Sequence, residues 1–107
     1  IIDSVDAKDG FWHMTDATTT AATIDDIAHA KKGVAYCIEI GAGTTTKPKI
    51  TKAAKFANIT ADWTPTEEGD YIMVILGDGE KYRELERRVG GKRTINKEVQ
   101  PNVPGGR

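Results

Sequence analysis

Residues 69–89, GDYIMVILGDGEKYRELERRV, decide how the chain is read. Tyr71 to Leu76 is an unbroken apolar run of six residues, too short for a long core helix and rich in the Ile, Val and Tyr that suit a pleated surface. The run predicts a central strand with Tyr71, Met73 and Ile75 on one face and Ile72, Val74 and Leu76 on the other. Neither face is made for water, so both are expected to be covered. Gly77-Asp78-Gly79 then supplies the residues of a tight reversal between antiparallel strands. Two readings compete for Lys81 to Val89. Tyr82, Leu85 and Val89 at i, i+3 and i+7, with Gly90 to cap, describe a helix. A buried strand ending in a tight turn instead hands the chain to a paired neighbour, and a bulge reconciles the opposite parity of Tyr82 and Leu85. The strand is preferred.

Working outward, Val34 to Gly41 (VAYCIEIG) is a second strong strand, with Val34, Tyr36, Ile38 and Ile40 on a core face and Ala35, Cys37 and Glu39 on a mixed one. Before it, Thr23 to Gly33 (TIDDIAHAKKG) predicts one short helix over Ile24 to Lys32. Thr23 is its N-cap, Asp25 and Asp26 fill its first turn, Lys31 and Lys32 its last, and Gly33 ends it. Ile24, Ile27 and Ala28 are its buried stripe. Phe11 to Met14 reads as a short strand with Phe11 and His13 on one face and Trp12 and Met14 on the other. An edge strand through Ile2, Ser4 and Asp6 is weaker, Thr15 to Thr23 is a loop, and Lys49-Ile50-Thr51 is a minimal strand. The expected fold is mainly β, a small β-sandwich or β-roll with one short helix and an extended C-terminal arm.

At 107 residues the chain is one domain. Its formal net charge of −1 demands neither nucleic acid nor an anionic membrane. The charge is uneven: residues 1–80 hold 7 basic and 13 acidic side chains, residues 81–107 hold 8 and 3. From Gly90 onward the chain has no core pattern, four glycines and two prolines. It is therefore divided into a β-rich domain, 1–89, and a basic arm, 90–107, that crosses to a neighbouring copy. Lys92, Arg93, Lys97 and Arg107 supply its charge, and Val99 and Val103 its apolar anchors. No apolar run approaches the roughly 20 residues of a membrane helix, so no membrane partner is expected. The start at Ile1 reads as a matured product or an excerpt of a longer chain.

The candidate chemical sites are weak. Cys37, the only cysteine, lies in an apolar run and is read as a small hydrophobe, since no His or cation stands near in sequence to make it a nucleophile. Gly41 to Lys47 (GAGTTTK) follows a strand, but Thr46 replaces the glycine that a phosphate loop needs before its lysine. His13 and His29 lack paired ligand spacing, and the loop carboxylates Asp62, Glu67, Glu68, Asp70 and Asp78 fit no calcium loop. Trp12 and Trp63 are read as core, with glycan-facing aromatics as the alternative. No catalytic constellation, metal or cofactor is expected.

The order of features from Ile38 to Arg88 carries a resemblance: IEIG, a Thr/Lys/Pro loop, the step from Ile50 to Phe56, ITADWTP, and EEGDYIMVILGDGEKYRELER. It resembles a β-rich module at the surface of tailed-phage virions, found in head and tail-fibre proteins, with an aromatic-x-Glu-x-x-Arg ending that here is Tyr82 to Arg87. Tyr82 stands where such modules often carry Trp, and Glu86 where a small residue is common. The resemblance covers about half the chain. It implies a non-enzymatic structural protein of the virion, a head-surface or capsid decoration subunit, whose partners are other copies of itself or a major capsid or tail protein. A carbohydrate-binding module built on Trp12 and Trp63, or a tail-fibre component, is the alternative.

Overall fold

The computed structural model describes residues 5–97. Seven strands follow one another: β1 (Val5–Asp6), β2 (Trp12–Met14), β3 (Ile27–Ala28), β4 (Ala35–Glu39), β5 (Tyr71–Leu76), β6 (Tyr82–Val89) and β7 (Lys92–Ile95). The last five-stranded group, in the order β2-β4-β5-β6-β7, forms the main sheet, and β1 and β3 form a separate parallel pair. All neighbours in the main sheet are antiparallel except β2 and β4. The fold is mainly β, as the two apolar runs require.

β5 occupies the predicted residues and is central. Ile72, Val74 and Leu76 are buried, while Tyr71, Met73 and Ile75 are half-buried on the opposite face. The buried face continues through Tyr36 and Ile38 of β4 and Tyr82 of β6. It packs on Val5, Ile24, Ile27, Ile50, Phe56, Ile59 and Trp63 from β1, β3 and the irregular connections. Phe56 and Tyr82 stack with ring centroids 4.7 Å apart. The expectation that both faces of β5 are covered is met in part: Tyr71, Met73 and Ile75 are half-buried, but among the described residues no second sheet layer lies over them. Below, the covered side is the inner face and the other the outer face.

The strand reading of 81–89 holds, bulge included. Met73 pairs with Glu86 and Val74 with Glu84, so Leu85 is the extra residue. The bulge moves Tyr82 and Glu84 to the inner face and leaves Arg87 opposite Ile72 on that same face. Two charged residues thereby enter the core layer, and they are paired: Arg87 Nη2 lies 2.6 Å from Glu84 Oε1. Thr60 donates its backbone N–H and hydroxyl to the same carboxylate, and the guanidinium also donates to the carbonyls of Ala61 and Asp62.

The predicted helix over Ile24 to Lys32 does not form; no α-helix occurs among the described residues. Tertiary partners take each group the helix would have used. Ile24 N–H donates to the Lys49 carbonyl, and Ile27 and Ala28 run parallel to Val5 and Asp6. Asp26, the expected first-turn acid, accepts from Ile27 N–H and from the Tyr82 hydroxyl and pairs with Lys55. The stripe residues Ile24 and Ile27 are buried, but on extended chain. A nine-residue helix is marginal by itself, so these contacts outweigh its propensity.

The arm is also corrected in part. Gly90 and Gly91, at φ 61° and 81°, make a two-residue turn, and Lys92 to Ile95 pair back onto β6. The boundary expected at residue 90 thus falls inside a hairpin, and 92–95 pair with β6 of the same chain. Val99, Val103 and Arg107, with Ile2 and Ser4 of the proposed edge strand, lie outside the described residues.

Candidate interaction surface

The outer face of the main sheet is built in two rows, each crossing all five strands. Trp12, Cys37, Met73, Glu86 and Ile95 are successive partners in one; Met14, Glu39, Tyr71, Arg88 and Arg93 are successive partners in the other. Side chains on the same face of directly paired residues touch across a sheet, so each row is a continuous strip. Among the described residues no other strand or 3-10 turn lies over it as a second sheet layer. Three of its four ends are exposed large hydrophobics: Trp12 is 54% exposed, Met14 50% and Ile95 43%. Phe11, at 67%, adjoins them at the rim and tilts against Tyr36 at 6.1 Å.

Polar groups in the middle of the face are tied to one another. The Trp12 indole donates to Glu39 Oε1 at 2.7 Å. The Tyr71 hydroxyl donates to Glu86 Oε2 at 2.5 Å, and Arg93 Nε donates to that oxygen at 2.9 Å. The Tyr71 hydroxyl and the Arg93 guanidinium together hold the Glu86 carboxyl below the usual carboxylate range. Cys37 is buried in the first row, and burial, aided by Glu39 and Glu86, pushes its thiol up to about 12. It is a packing residue, as its apolar run suggests.

Among the described residues no strand pairs with either edge of the sheet. Phe11 and Thr15 bond to β4 through Cys37 N–H and the Glu39 carbonyl, so the alternate residues Trp12 and Met14 turn their backbone N–H and C=O outward. At the far edge Asn96 N–H donates to the Leu85 carbonyl, and the Val89–Lys92 turn pair fixes the same alternation, which leaves the backbone groups of Arg93 and Ile95 facing outward.

One carboxylate sets the geometry of the β7 edge. Asp70, fully buried, accepts from the backbone N–H groups of Thr66 (2.9 Å), Glu67 (3.1 Å), Gly90 (2.8 Å) and Gly91 (3.2 Å). Burial raises its pKa, but the four N–H groups outweigh burial and hold it below the ordinary value. The carboxylate locks the loop before β5 to the turn before β7. It was read from sequence only as one of several loop acids, because two of its four partners, Gly90 and Gly91, come from 20 and 21 residues away.

The remaining sequence candidates fall elsewhere. Lys92 and Arg93 sit on β7 and Lys97 just after it, all exposed. Trp63 is buried, with its indole N–H 3.4 Å from the Arg88 carbonyl, so it cannot face a glycan. Trp12, expected in the core, is the exposed one, and the two share no surface. Gly41 has a packing role rather than an anion-binding one: a Cβ there would meet the Thr15 carbonyl at 2.1 Å. Asp62 accepts from Lys52 N–H and Asp78 pairs with Lys32, so the loop acids disperse. Among the described residues no group of three or more His, Cys, Asp or Glu side chains is placed to hold a metal ion.

A cleft of about 460 Å³ opens beside β2 on the inner side, with Phe11, Val34 and Tyr36 as its apolar walls and Lys8, His29 and Lys31 at its rim. Its polar groups are already engaged. His29, in the left-handed region at φ 59°, lies 3.1 Å from Asp6, and the Tyr36 hydroxyl accepts from Lys31 N–H. Among the described residues no helix is long and apolar enough to cross a membrane. No protein-family model matches the chain, and no curated protein and no solved structure matches it.

Proposed function

We propose that the chain is a non-enzymatic structural component of a phage virion, of the head-surface or capsid-decoration type, that assembles through the open side of its sheet. The observation that carries this reading is the outer face, over which no second sheet layer lies among the described residues and whose exposed Trp12, Met14 and Ile95 lie at two edges that no described strand pairs. Exposed apolar side chains beside free strand edges mark a surface made for another protein chain. The resemblance of Ile38 to Arg88 to phage surface modules supplies the setting. Its quoted residues Ile50, Phe56, Ile59, Trp63, Ile72, Val74 and Tyr82 all belong to one core cluster here, which is what a module defined by its fold requires.

The test is mass spectrometry of purified particles from the phage whose genome encodes the chain. Stoichiometric copies in the particle, and portal, protease and capsid genes alongside, are the expected result. Absence from particles, with a gene set among enzymes, overturns the reading. A glycan array tests the competing class: saturable binding lost on Trp12→Ala, with no particle association, would make this a carbohydrate-binding module.

A further inference from the structure

The two open edges match each other. We propose that the partner at the interaction surface is a second copy of this chain, joined head to tail, with β2 of one copy pairing antiparallel to β7 of the next. The inference rests on the assembly reading above and names which surfaces meet.

Three observations carry it. The first is direction. β2 runs parallel to β4, and the three antiparallel steps from β4 to β7 reverse it, so a copy set beside β7 in the same orientation presents its β2 antiparallel, with its outer face on the same side. The second is register. The outward backbone groups belong to Trp12 and Met14 on one edge and to Arg93 and Ile95 on the other, two residues apart in both cases. Pairing Trp12 with the next copy's Ile95 and Met14 with its Arg93 makes both pairs hydrogen-bonded and keeps all four side chains on the outer face. The first row then runs unbroken from Glu86 and Ile95 into Trp12 and Cys37 of the next copy, and the second from Arg88 and Arg93 into Met14 and Glu39.

The third observation is charge. β2 itself carries none; Asp9 and Asp16 flank it, and Lys8, before Asp9, is paired with Asp6. β7 carries Lys92 and Arg93, with Lys97 beyond. In the proposed register Asp16 falls beside Lys92 and Asp9 near Lys97. Lys92 and Lys97 of two β7 edges repel one another, whereas a β2 edge offers them acidic flanks, so the unlike edges attract. A contact of unlike surfaces does not close on itself as a two-fold dimer does, so copies go on to a ring or a filament. It is screened by salt.

Sedimentation of the full chain and of two edge-blocked variants tests the scheme. Met14→Lys sets a cation opposite the next copy's Arg93 and blocks β2. Ile95→Pro removes an outward N–H, which makes no bond to β6, and blocks β7. The unaltered chain should grow in mass with concentration, each variant alone should stay monomeric, and an equimolar mixture should give a dimer and stop, since one working edge remains on each. Ile95→Asp replaces Ile95→Pro if circular dichroism shows that the proline unfolds the chain. Association of the β7-blocked variant alone, which signals pairing of two β2 edges, overturns the inference. So does association of the β2-blocked variant alone, or an unaltered chain that stays monomeric throughout. None of these three touches the particle composition on which the virion reading is judged, so the two fail separately.

Discussion

Replacing Asp70 by Ala removes the single acceptor of four backbone N–H groups, those of Thr66, Glu67, Gly90 and Gly91. A hydrogen bond to a charged group contributes about 1.5 to 3 kcal/mol net. The four donor residues themselves, unlike the carboxylate, lie near solvent and can rehydrate, so the sum must be discounted. About 3 to 4 kcal/mol remains, against roughly 5 to 15 kcal/mol for a whole domain. Urea denaturation followed by tryptophan fluorescence reads the difference. Asp70→Asn, which keeps one acceptor oxygen, should lose about half as much. The dependence on pH has a definite sign. Folding holds the Asp70 carboxyl below its ordinary value of 3.8, so its contribution is complete above that value and is lost as pH falls through the folded pKa. The gap between the unaltered chain and Asp70→Ala therefore narrows below about pH 4. Taking the difference cancels the carboxyls of Asp6, Asp16, Asp78 and Glu86, which are lowered as well. A loss under about 1 kcal/mol at neutral pH, or a gap that widens in acid, refutes the reasoning.

Val74→Asp places a carboxylate at a fully buried site directly across from Glu84, and should cost about 4 kcal/mol or more in the same titration; a variant as stable as the parent refutes the inner-face assignment. Cys37, buried and with its thiol pushed up to about 12, should not react with a thiol reagent at pH 8 until urea unfolds the chain; prompt labelling of the native protein shows that this row is open. A chain cut after Val89 should melt at a lower temperature than one cut after Lys97, because the shorter chain lacks β7 and two of the four donors to Asp70. Equal melting temperatures for the two would mean that β7 adds no stability.

What the sequence determined by itself is what depends on near neighbours along the chain. The runs 34–41 and 71–76 yield the strands Ala35–Glu39 and Tyr71–Leu76 because their consecutive apolar residues suit a pleated, buried setting. The Gly-Asp-Gly reversal and the parity conflict between Tyr82 and Leu85 were enough to foresee a hairpin with a bulge. Residues 24–32 show the limit. Their caps and charges all favour a helix, yet Lys49, Val5 and Tyr82, each distant in sequence, compete for the same backbone and side-chain groups and win. The two tryptophans differ for the same reason. Nothing local distinguishes Trp12 from Trp63; strand order alone sets the first on an edge and folds the loop bearing the second under the sheet. The surface proposed for assembly is likewise a product of tertiary structure, since Trp12 and Ile95 come from opposite ends of the described chain. They reach the two ends of one row only because five strands align in register between them, and a register is a relation between strands that no single strand contains.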